Sequence, residues 1–238
     1  EITTRLVGSE MCIRDRVVVV AALLSVISLS LQPRQNENKQ NEKRQNILSA
    51  IHISSTAENS AELFDKYIKE QFIVNAKGKK VEGNAFNVSI ATQYNLPVEK
   101  RELPVFVAEI EGAVKYILPI YGAGLWGPIW GYISLDANKD NIYGTFFDHQ
   151  GETPGLGAEI TTPQFNNQFQ NKQVFSGDQL VGIAVVKGGN ATGTHEVDAI
   201  SGGTITSKGV EKMLKNYLTY YEPVSYTHLR AHETRSNL

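Results

Sequence analysis

The middle of this 238-residue chain constrains its fold most, because it is dominated by short strand-like runs. Between Val81 and Asp136, four segments are rich in Val, Ile, Phe and Tyr: VEGNAFNVSI, LPVFVAEI, VKYILPIY and IWGYISLD. The turn-like segments EGA and GAGLWGP join the last three, as expected for consecutive paired strands. The pattern therefore predicts a central sheet of the antiparallel type.

Helical patterns and one further strand flank this sheet. Ser60 is predicted to cap a helix with Leu63, Phe64, Tyr67, Ile68 and Phe72 on its buried face. A short helix is predicted from Pro163 to Phe169, with Thr162 as its cap, and QLVGIAVVKGG is predicted to be a strand. The last predicted helix has an apolar face at helical spacing: Val210, Met213, Leu214, Tyr217, Leu218 and Tyr221. Helices toward the ends and strands in the middle predict a single α+β domain.

The N-terminal part carries VVVVAALLSVISLSL, a run from Val17 to Leu31 without a charge. We interpret residues 17–32 as a truncated transmembrane anchor, with a signal-peptide core or a buried strand as alternatives. Residues 33–59 follow as a polar linker or helix, and residues 60–223 as the folded domain. Residues 1–16 and 224–238 resemble translated sequencing-adapter read-through, and we expect them to pack against nothing.

Composition excludes several classes of function. The formal net charge is −2, and the chain has no basic cluster interleaved with aromatic residues, so a nucleic-acid surface is not predicted. Cys12 is the only cysteine and lies in the suspected artefact, which leaves no thiolate for an iron–sulfur centre or a catalytic thiol. His52, His149 and His195 do not have metal-ligand spacing, so no metal site is predicted.

Residues 122–127, GAGLWG, form a G-x-G-x-x-G pattern. In a dinucleotide-binding fold this pattern closes a strand and opens a helix. Here Pro128 and the strand-like IWGYISLD follow it. The segment is therefore predicted to be a glycine-rich hairpin that presents Trp126 and Trp130 to the core or to a contact surface.

Two other stretches are dense in small and turn-forming residues. HQGETPGLG, residues 149–157, is either a surface connection or a turn whose glycines let the backbone approach a flat ligand. DAISGGTITS, residues 198–207, precedes the last predicted helix. Its SGGT portion is either a turn capped through Thr206 or Ser207, or a nest of backbone N–H groups that suits a phosphate. It lacks the lysine that a Walker loop has after its final glycine.

DAISGGTITS resembles the flavinylation motif of FMN-binding domains, in which an acid and two further residues precede Ser/Thr-Gly-Ala-Thr. The resemblance implies that Thr204 accepts the phosphate of FMN as an ester and that Asp198 is recognised by a separate flavin transferase using FAD. The flanking cofactor contacts would be Ser201, Gly202, Gly203, Ile205 and Thr206. Gly203 departs from the usual alanine.

HQGETPGLG and YGAGLWGPIWGYISLD are similar to segments of the C subunits of Na+-translocating NADH:quinone reductases. The resemblance implies further FMN contacts from Glu152, Thr153, Leu156 and Lys187. It also implies an electron-relay subunit of a membrane complex that transports sodium and reduces ubiquinone. Such a subunit would be single-pass in the bacterial inner membrane, with its FMN domain on the periplasmic side. The G subunit of the Rnf complex, which shares the covalent FMN, and an anchored binding module without redox chemistry remain as alternatives.

Overall fold

A computed structural model describes the backbone of residues 2–236 and the side chains of residues 14–223. The expectation that the two terminal segments pack against nothing rests on side chains such as Ile13 and Leu229. Those side chains lie outside the described residues. The limits of 60 and 223 for the FMN-binding domain also stay a prediction.

The described chain is an α+β protein, which confirms the predicted fold class. The helices are α1 (Ile2–Ser49), α2 (Ser60–Tyr67), α3 (Ile90–Tyr94), α4 (Pro163–Asn166) and α5 (Thr204–Ser236). The strands of the main sheet are β1 (Ile68–Asn75), β2 (Lys80–Val81), β3 (Glu102–Ile110), β4 (Ala113–Ala123), β5 (Pro128–Asp136) and β6 (Ile142–His149). They are antiparallel throughout, in the order β2-β1-β3-β4-β5-β6. Two small pairs follow: β7 (Phe175–Ser176) with β8 (Gln179–Leu180), and β9 (Ala184–Val186) with β10 (Glu196–Asp198).

The main sheet is covered on both faces. Successive residues of its strands are buried in two different hydrophobic clusters, one on each face. Val105 and Ile133 belong to one buried cluster, whereas their neighbours Phe106 and Tyr132 belong to the other. Side chains alternate between the two faces of a strand. Burial on both faces therefore explains why these strands are almost continuously apolar.

Helix α5 packs on the first of these cores. Its six predicted apolar positions are all buried: Val210, Met213, Leu214, Tyr217, Leu218 and Tyr221. The hydroxyl of Tyr221 donates to the backbone oxygen of Pro104 on β3 at 2.9 Å. The sequence prediction for this helix is confirmed, and Gly209 in the second turn of α5 lies against the backbone of Ala123 at the end of β4.

Helix α1 carries the apolar run, and the side chains from Val17 to Leu31 are exposed. Among the described residues, one helical stretch, Arg14–Ser49, has the length and hydropathy needed to cross a membrane. By packing, the compact folded unit begins at Arg44. Ile47 and Ile51 are fully buried in its second core, so part of the predicted 33–59 linker contributes to the domain interior.

Helix α2 is shorter than predicted. It ends at Tyr67, and Ile68–Asn75 is strand β1, in which Phe72 pairs with Val105. Asn59 occupies the cap position and Ser60 is the buried first residue of the helix. The apolar spacing of the helix happens to continue into the strand, and pairing with β3 decides the conformation there.

Two other expectations about strands were wrong, and one strand was missed. After Val81 in β2, VEGNAFNVSI forms a 3₁₀ turn (Ala85–Asn87) and the first residue of α3 rather than a strand, because the side chains of Asn84 and Ser89 accept backbone N–H groups at the starts of these two elements. QLVGIAVVKGG splits into β8 and β9 around Gly182, whose φ is +70°. Strand β6, with the sequence IYGTFFDH, was not predicted.

Candidate functional site

The SGGT loop ends in the first residue of α5, Thr204, and the side chain of Thr204 is exposed. Gly202 has a φ of +73°, and the Gly203 N–H donates to the backbone oxygen of Ile200 at 3.0 Å, closing a turn. The first N–H groups of a helix have no partner within the helix and carry its positive dipole end. This arrangement suits a phosphate next to the Thr204 hydroxyl.

Two glycines are needed in this loop because Leu156 lies against it. A Cβ at Gly202 would stand 2.5 Å from Cδ2 of Leu156. A Cβ at Gly203 would stand 2.9 Å from Cγ2 of Ile200 and 3.1 Å from the backbone oxygen of Leu156. The alanine usual in the motif would therefore require its neighbours to shift by a few tenths of an ångström.

Ser207 does not cap the start of the helix; its side chain is hydrogen-bonded to the backbone of the SGGT loop. Its hydroxyl accepts the N–H of Ile200 at 3.0 Å and donates to the backbone oxygen of Gly203 at 2.9 Å. Thr206 is also not a cap. It lies within the first turn of α5, is 1% exposed, and donates its hydroxyl to Oε2 of Glu152 at 2.5 Å.

Thr204 opens into a cleft of about 390 Å³. The structure brings together here three segments far apart in sequence: the GAGLWG hairpin loop, the ETPGLG turn and the start of α5. The lining residues are Leu125, Trp126, Glu152, Thr153, Leu156, Gly157, Gly202, Gly203, Thr204, Ile205 and Thr206. Thus Glu152, Thr153 and Leu156 line the same cleft as Thr204, as expected if one FMN contacts both segments.

Glu152 is the buried carboxylate of this cleft, with 4% of the residue exposed. Its Oε1 accepts the backbone N–H of Trp126 at 2.9 Å, and its Oε2 accepts the hydroxyl of Thr206. Gly124 and Gly157 approach so closely that a Cβ on either would collide with the carboxylate. Those glycines therefore leave the space that the carboxylate fills.

The rim of the cleft is apolar and exposed. Trp126 is 69% exposed and Ile205 is 60% exposed, and Leu125 and Leu156 are also exposed. Isolated apolar side chains on a surface are ordinary, but a contiguous group around a cleft marks a binding site. The sequence placed Trp126 in its hairpin, but neither Trp126 nor Leu125 was predicted to belong to the site. Trp130 lies within β5 and is half-buried.

A second, larger cavity of about 780 Å³ contains the remaining motif residues. Asp198 and Ser201 line it, together with Glu159, Gln164, Gln168 and Gly188 among others. Oδ1 of Asp198 accepts the N–H groups of Asn190 and Ala191 at 3.0 and 3.1 Å. Lys187 is exposed and is not among the residues that line either cavity.

The three histidines considered in the sequence make separate contacts. Nδ1 of His149 accepts the N–H of Glu152 at 3.2 Å, whereas ring nitrogens of His52 and His195 lie within hydrogen-bond distance of backbone oxygens. Across the described residues, no three His, Cys, Asp or Glu side chains are grouped to hold a metal ion.

The chain is similar to several known proteins. A family model described as an FMN-binding domain matches residues 124–219. The C subunit of the Na(+)-translocating NADH-quinone reductase of Haemophilus ducreyi is 31% identical over 220 residues, covering 84% of this chain and 86% of that protein. Its counterpart from Vibrio vulnificus is also 31% identical, covering 82% and 83%.

Solved structures agree with these sequence relatives. The C subunit of the same reductase from Parabacteroides distasonis is 46% identical, with a TM-score of 0.78, and the match covers 82% of this chain and 96% of that one. NqrC from Shewanella oneidensis has a TM-score of 0.70 at 24% identity, covering 81% and 99%, and supports the fold alone. The chain belongs to the family of the C subunits of Na(+)-translocating NADH-quinone reductases.

Proposed function

We propose that this chain is an electron-relay subunit that carries FMN esterified through its phosphate to Thr204. The observation that carries the proposal is the position of this hydroxyl. Among the four hydroxyl-bearing residues of SGGTITS, Thr204 alone is both exposed and part of the cleft lining. Thr206 and Ser207 are buried and engaged in hydrogen bonds, and Ser201 lines the other cavity.

The residues of the cleft fit both parts of FMN. The unpaired N–H groups at the start of α5 would hold the phosphate, in keeping with the general preference of anions for helix N-termini. Trp126, Leu156 and Ile205 offer apolar surface to the ring system, and Thr153 offers a polar edge. When bound, the flavin supplies the electron chemistry, and the protein supplies attachment, orientation and electrostatics.

Attachment would be carried out by a separate flavin transferase with FAD as donor. The Thr204 Oγ1 forms a bond to the phosphorus of the FMN half, the pyrophosphate bond breaks, AMP leaves, and the hydroxyl proton is released. No oxidant or reductant is needed. Exposure of Thr204 supports access by such an enzyme, and Asp198 in the neighbouring cavity is the proposed recognition residue.

We further propose that α1 anchors the chain as a single pass in the bacterial inner membrane, with the FMN domain on the periplasmic side. The support is the exposed apolar run in α1, in a window with a mean hydropathy of 1.8. The partners would be the other subunits of a complex that couples NADH oxidation and ubiquinone reduction to sodium transport. The names of the relatives, as components of such a reductase, support these partners.

Co-expression of the full chain with a flavin transferase tests the proposal. We expect a yellow protein that keeps its colour in denaturant and whose intact mass rises by one esterified FMN. A colourless protein of unchanged mass would favour the anchored binding module. A covalent flavoprotein that assembles with Rnf subunits instead would favour the G-subunit alternative.

A further inference from the structure

Glu152 connects the three segments that form the Thr204 cleft: the GAGLWG hairpin loop, the ETPGLG turn and the start of α5. It belongs to the ETPGLG turn, its Oε1 accepts the N–H of Trp126 in the hairpin loop, and its Oε2 accepts the hydroxyl of Thr206 in α5. The residue is 4% exposed. A buried carboxylate is retained only where its charge is hydrogen-bonded, and each such bond is stronger than one between neutral groups.

We propose that Glu152 and Thr206 are positioning residues, which fix the hairpin loop and the ETPGLG turn relative to the start of α5. They thereby set the direction in which the Thr204 hydroxyl leaves the loop. This assignment differs from the FMN contacts that sequence resemblance gave to both residues. Its consequence for flavin attachment rests on the proposed function, whereas its structural part does not.

The shape of the site supports positioning over direct contact. Both carboxylate oxygens already accept a protein donor. A Cβ at Gly124 or Gly157 would collide with the carboxylate, so these two glycines lie directly against it and leave it little room to turn. If the carboxylate turned toward a ligand, the Trp126 N–H and the Thr206 hydroxyl would lose their acceptor, and unsatisfied buried groups are costly.

The chemistry of the pair predicts an informative pattern of substitutions. Glu152→Gln keeps an oxygen for the Trp126 N–H, and its amide nitrogen donates to the Thr206 oxygen, since a hydroxyl both donates and accepts. This conservative variant should therefore preserve the connection. Thr206→Val has nearly the same shape as threonine but removes the hydroxyl, which frees one carboxylate oxygen and loosens the other bond.

Thr145→Val provides a matched control. Thr145 is also buried, at 6% exposure, and its hydroxyl donates to Asn166 at 3.2 Å, away from the residues that line the cleft. It tests whether any loss of a buried threonine hydroxyl produces the same effects. The two valine variants should lower the free energy of unfolding by similar amounts. A difference between them in amide exchange or FMN attachment would therefore come from the local contacts of Thr206.

The experiment measures hydrogen exchange at the Trp126 amide in the flavin-free full chain, and then the initial rate of FMN attachment by the transferase. We expect Thr206→Val to speed the exchange about tenfold, as for loss of a charge-assisted bond, and to slow attachment by a similar factor. Thr145→Val should stay within about twofold of the unmodified chain on both readouts, and Glu152→Gln, which keeps both hydrogen-bond partners but loses the charge, should fall between Thr145→Val and Thr206→Val.

Unchanged exchange and attachment in Thr206→Val would overturn the proposal, as would equal effects in Thr206→Val and Thr145→Val. A change in the flavin midpoint potential with Glu152→Gln, without any change in Thr206→Val, would identify Glu152 as a direct ring contact instead. If the unmodified chain takes up no FMN, the proposed function fails, and exchange at Trp126 still decides whether the two residues connect the walls.

Discussion

The two cavities that meet the SGGT loop differ in size and in chemistry. The larger, of about 780 Å³, is lined by carboxylates and amides such as Asp198, Glu159 and Gln168. The smaller, of about 390 Å³, has an exposed apolar rim and one exposed motif hydroxyl, Thr204, at a helix N-terminus. Volume alone would select the first. The pairing of phosphate donors with an apolar surface favours the second as the proposed flavin site, and the first is the surface that we propose the flavin transferase recognises.

Among substitutions that distinguish the two cavities, the largest effect is expected from adding a methyl group inside the smaller one, at Gly157. A Cβ at Gly157 would collide with Oε2 of Glu152 and stand 2.5 Å from Oγ1 of Thr206. Overpacking of this kind costs about 1–3 kcal/mol, so Gly157→Ala should lower the free energy of unfolding by that amount and reduce FMN attachment. Denaturant titration and intact mass measure the two effects.

Gly151→Ala is the matched control for this change, because a Cβ there meets nothing within 4 Å although it lies in the same turn. Its effect on stability should be within about 0.5 kcal/mol. Equal losses in the two variants would mean that the turn, rather than the contact with Glu152 and Thr206, determines the result.

An intermediate effect is expected from the larger cavity. Asp198→Asn removes a charge from its wall and weakens the bonds to the N–H groups of Asn190 and Ala191. If the transferase recognises this residue, initial attachment should slow several-fold while exchange at the Trp126 amide is unchanged. Glu159→Gln, in the same cavity, should attach FMN at the normal rate. Equal rates for all three proteins would remove Asp198 from recognition.

The smallest effect is expected at the rim. Ile205 is 60% exposed, so Ile205→Ser should change the free energy of unfolding by no more than about 0.5 kcal/mol and leave FMN attachment complete. Removal of apolar surface next to the ring should still alter the fluorescence of the bound flavin. A spectrum identical to that of the unmodified protein would place the ring away from this side of the rim.

Sequence patterns predicted the helices and strands whose apolar residues keep a single spacing, helical or strand-like, from end to end. The buried face of α5 and strands β3 to β5 are of this kind. The boundary between α2 and β1 was missed, because apolar spacing continues from Tyr67 through Phe72 and only pairing with β3 distinguishes strand from helix. Strand β6 was missed because its sequence, IYGTFFDH, has Gly144 in its interior, and an interior glycine weakens a strand pattern.

The motif residues of the candidate site could be predicted from the sequence. The contacts between residues distant in sequence could not. Thr204, Glu152, Thr153 and Leu156 come from two segments that a known motif marks. Glu152 and Thr206 are 54 positions apart, and no local signal pairs them or assigns Trp126 to the same cleft. Lys187, which the resemblance implied as a further FMN contact, lies in neither cavity lining, and its contact with FMN stays a prediction.

Peptide mapping of the flavinylated chain tests the central claim most directly. After co-expression with a flavin transferase and proteolysis, the fragment containing SGGTITS should carry one FMN phosphoester, and fragmentation should locate it on Thr204. The Thr204→Ala protein should carry none and unfold at the same denaturant concentration, since the side chain is exposed. An FMN phosphoester on Ser201, Thr206 or Ser207, or one that survives in Thr204→Ala, would contradict the account.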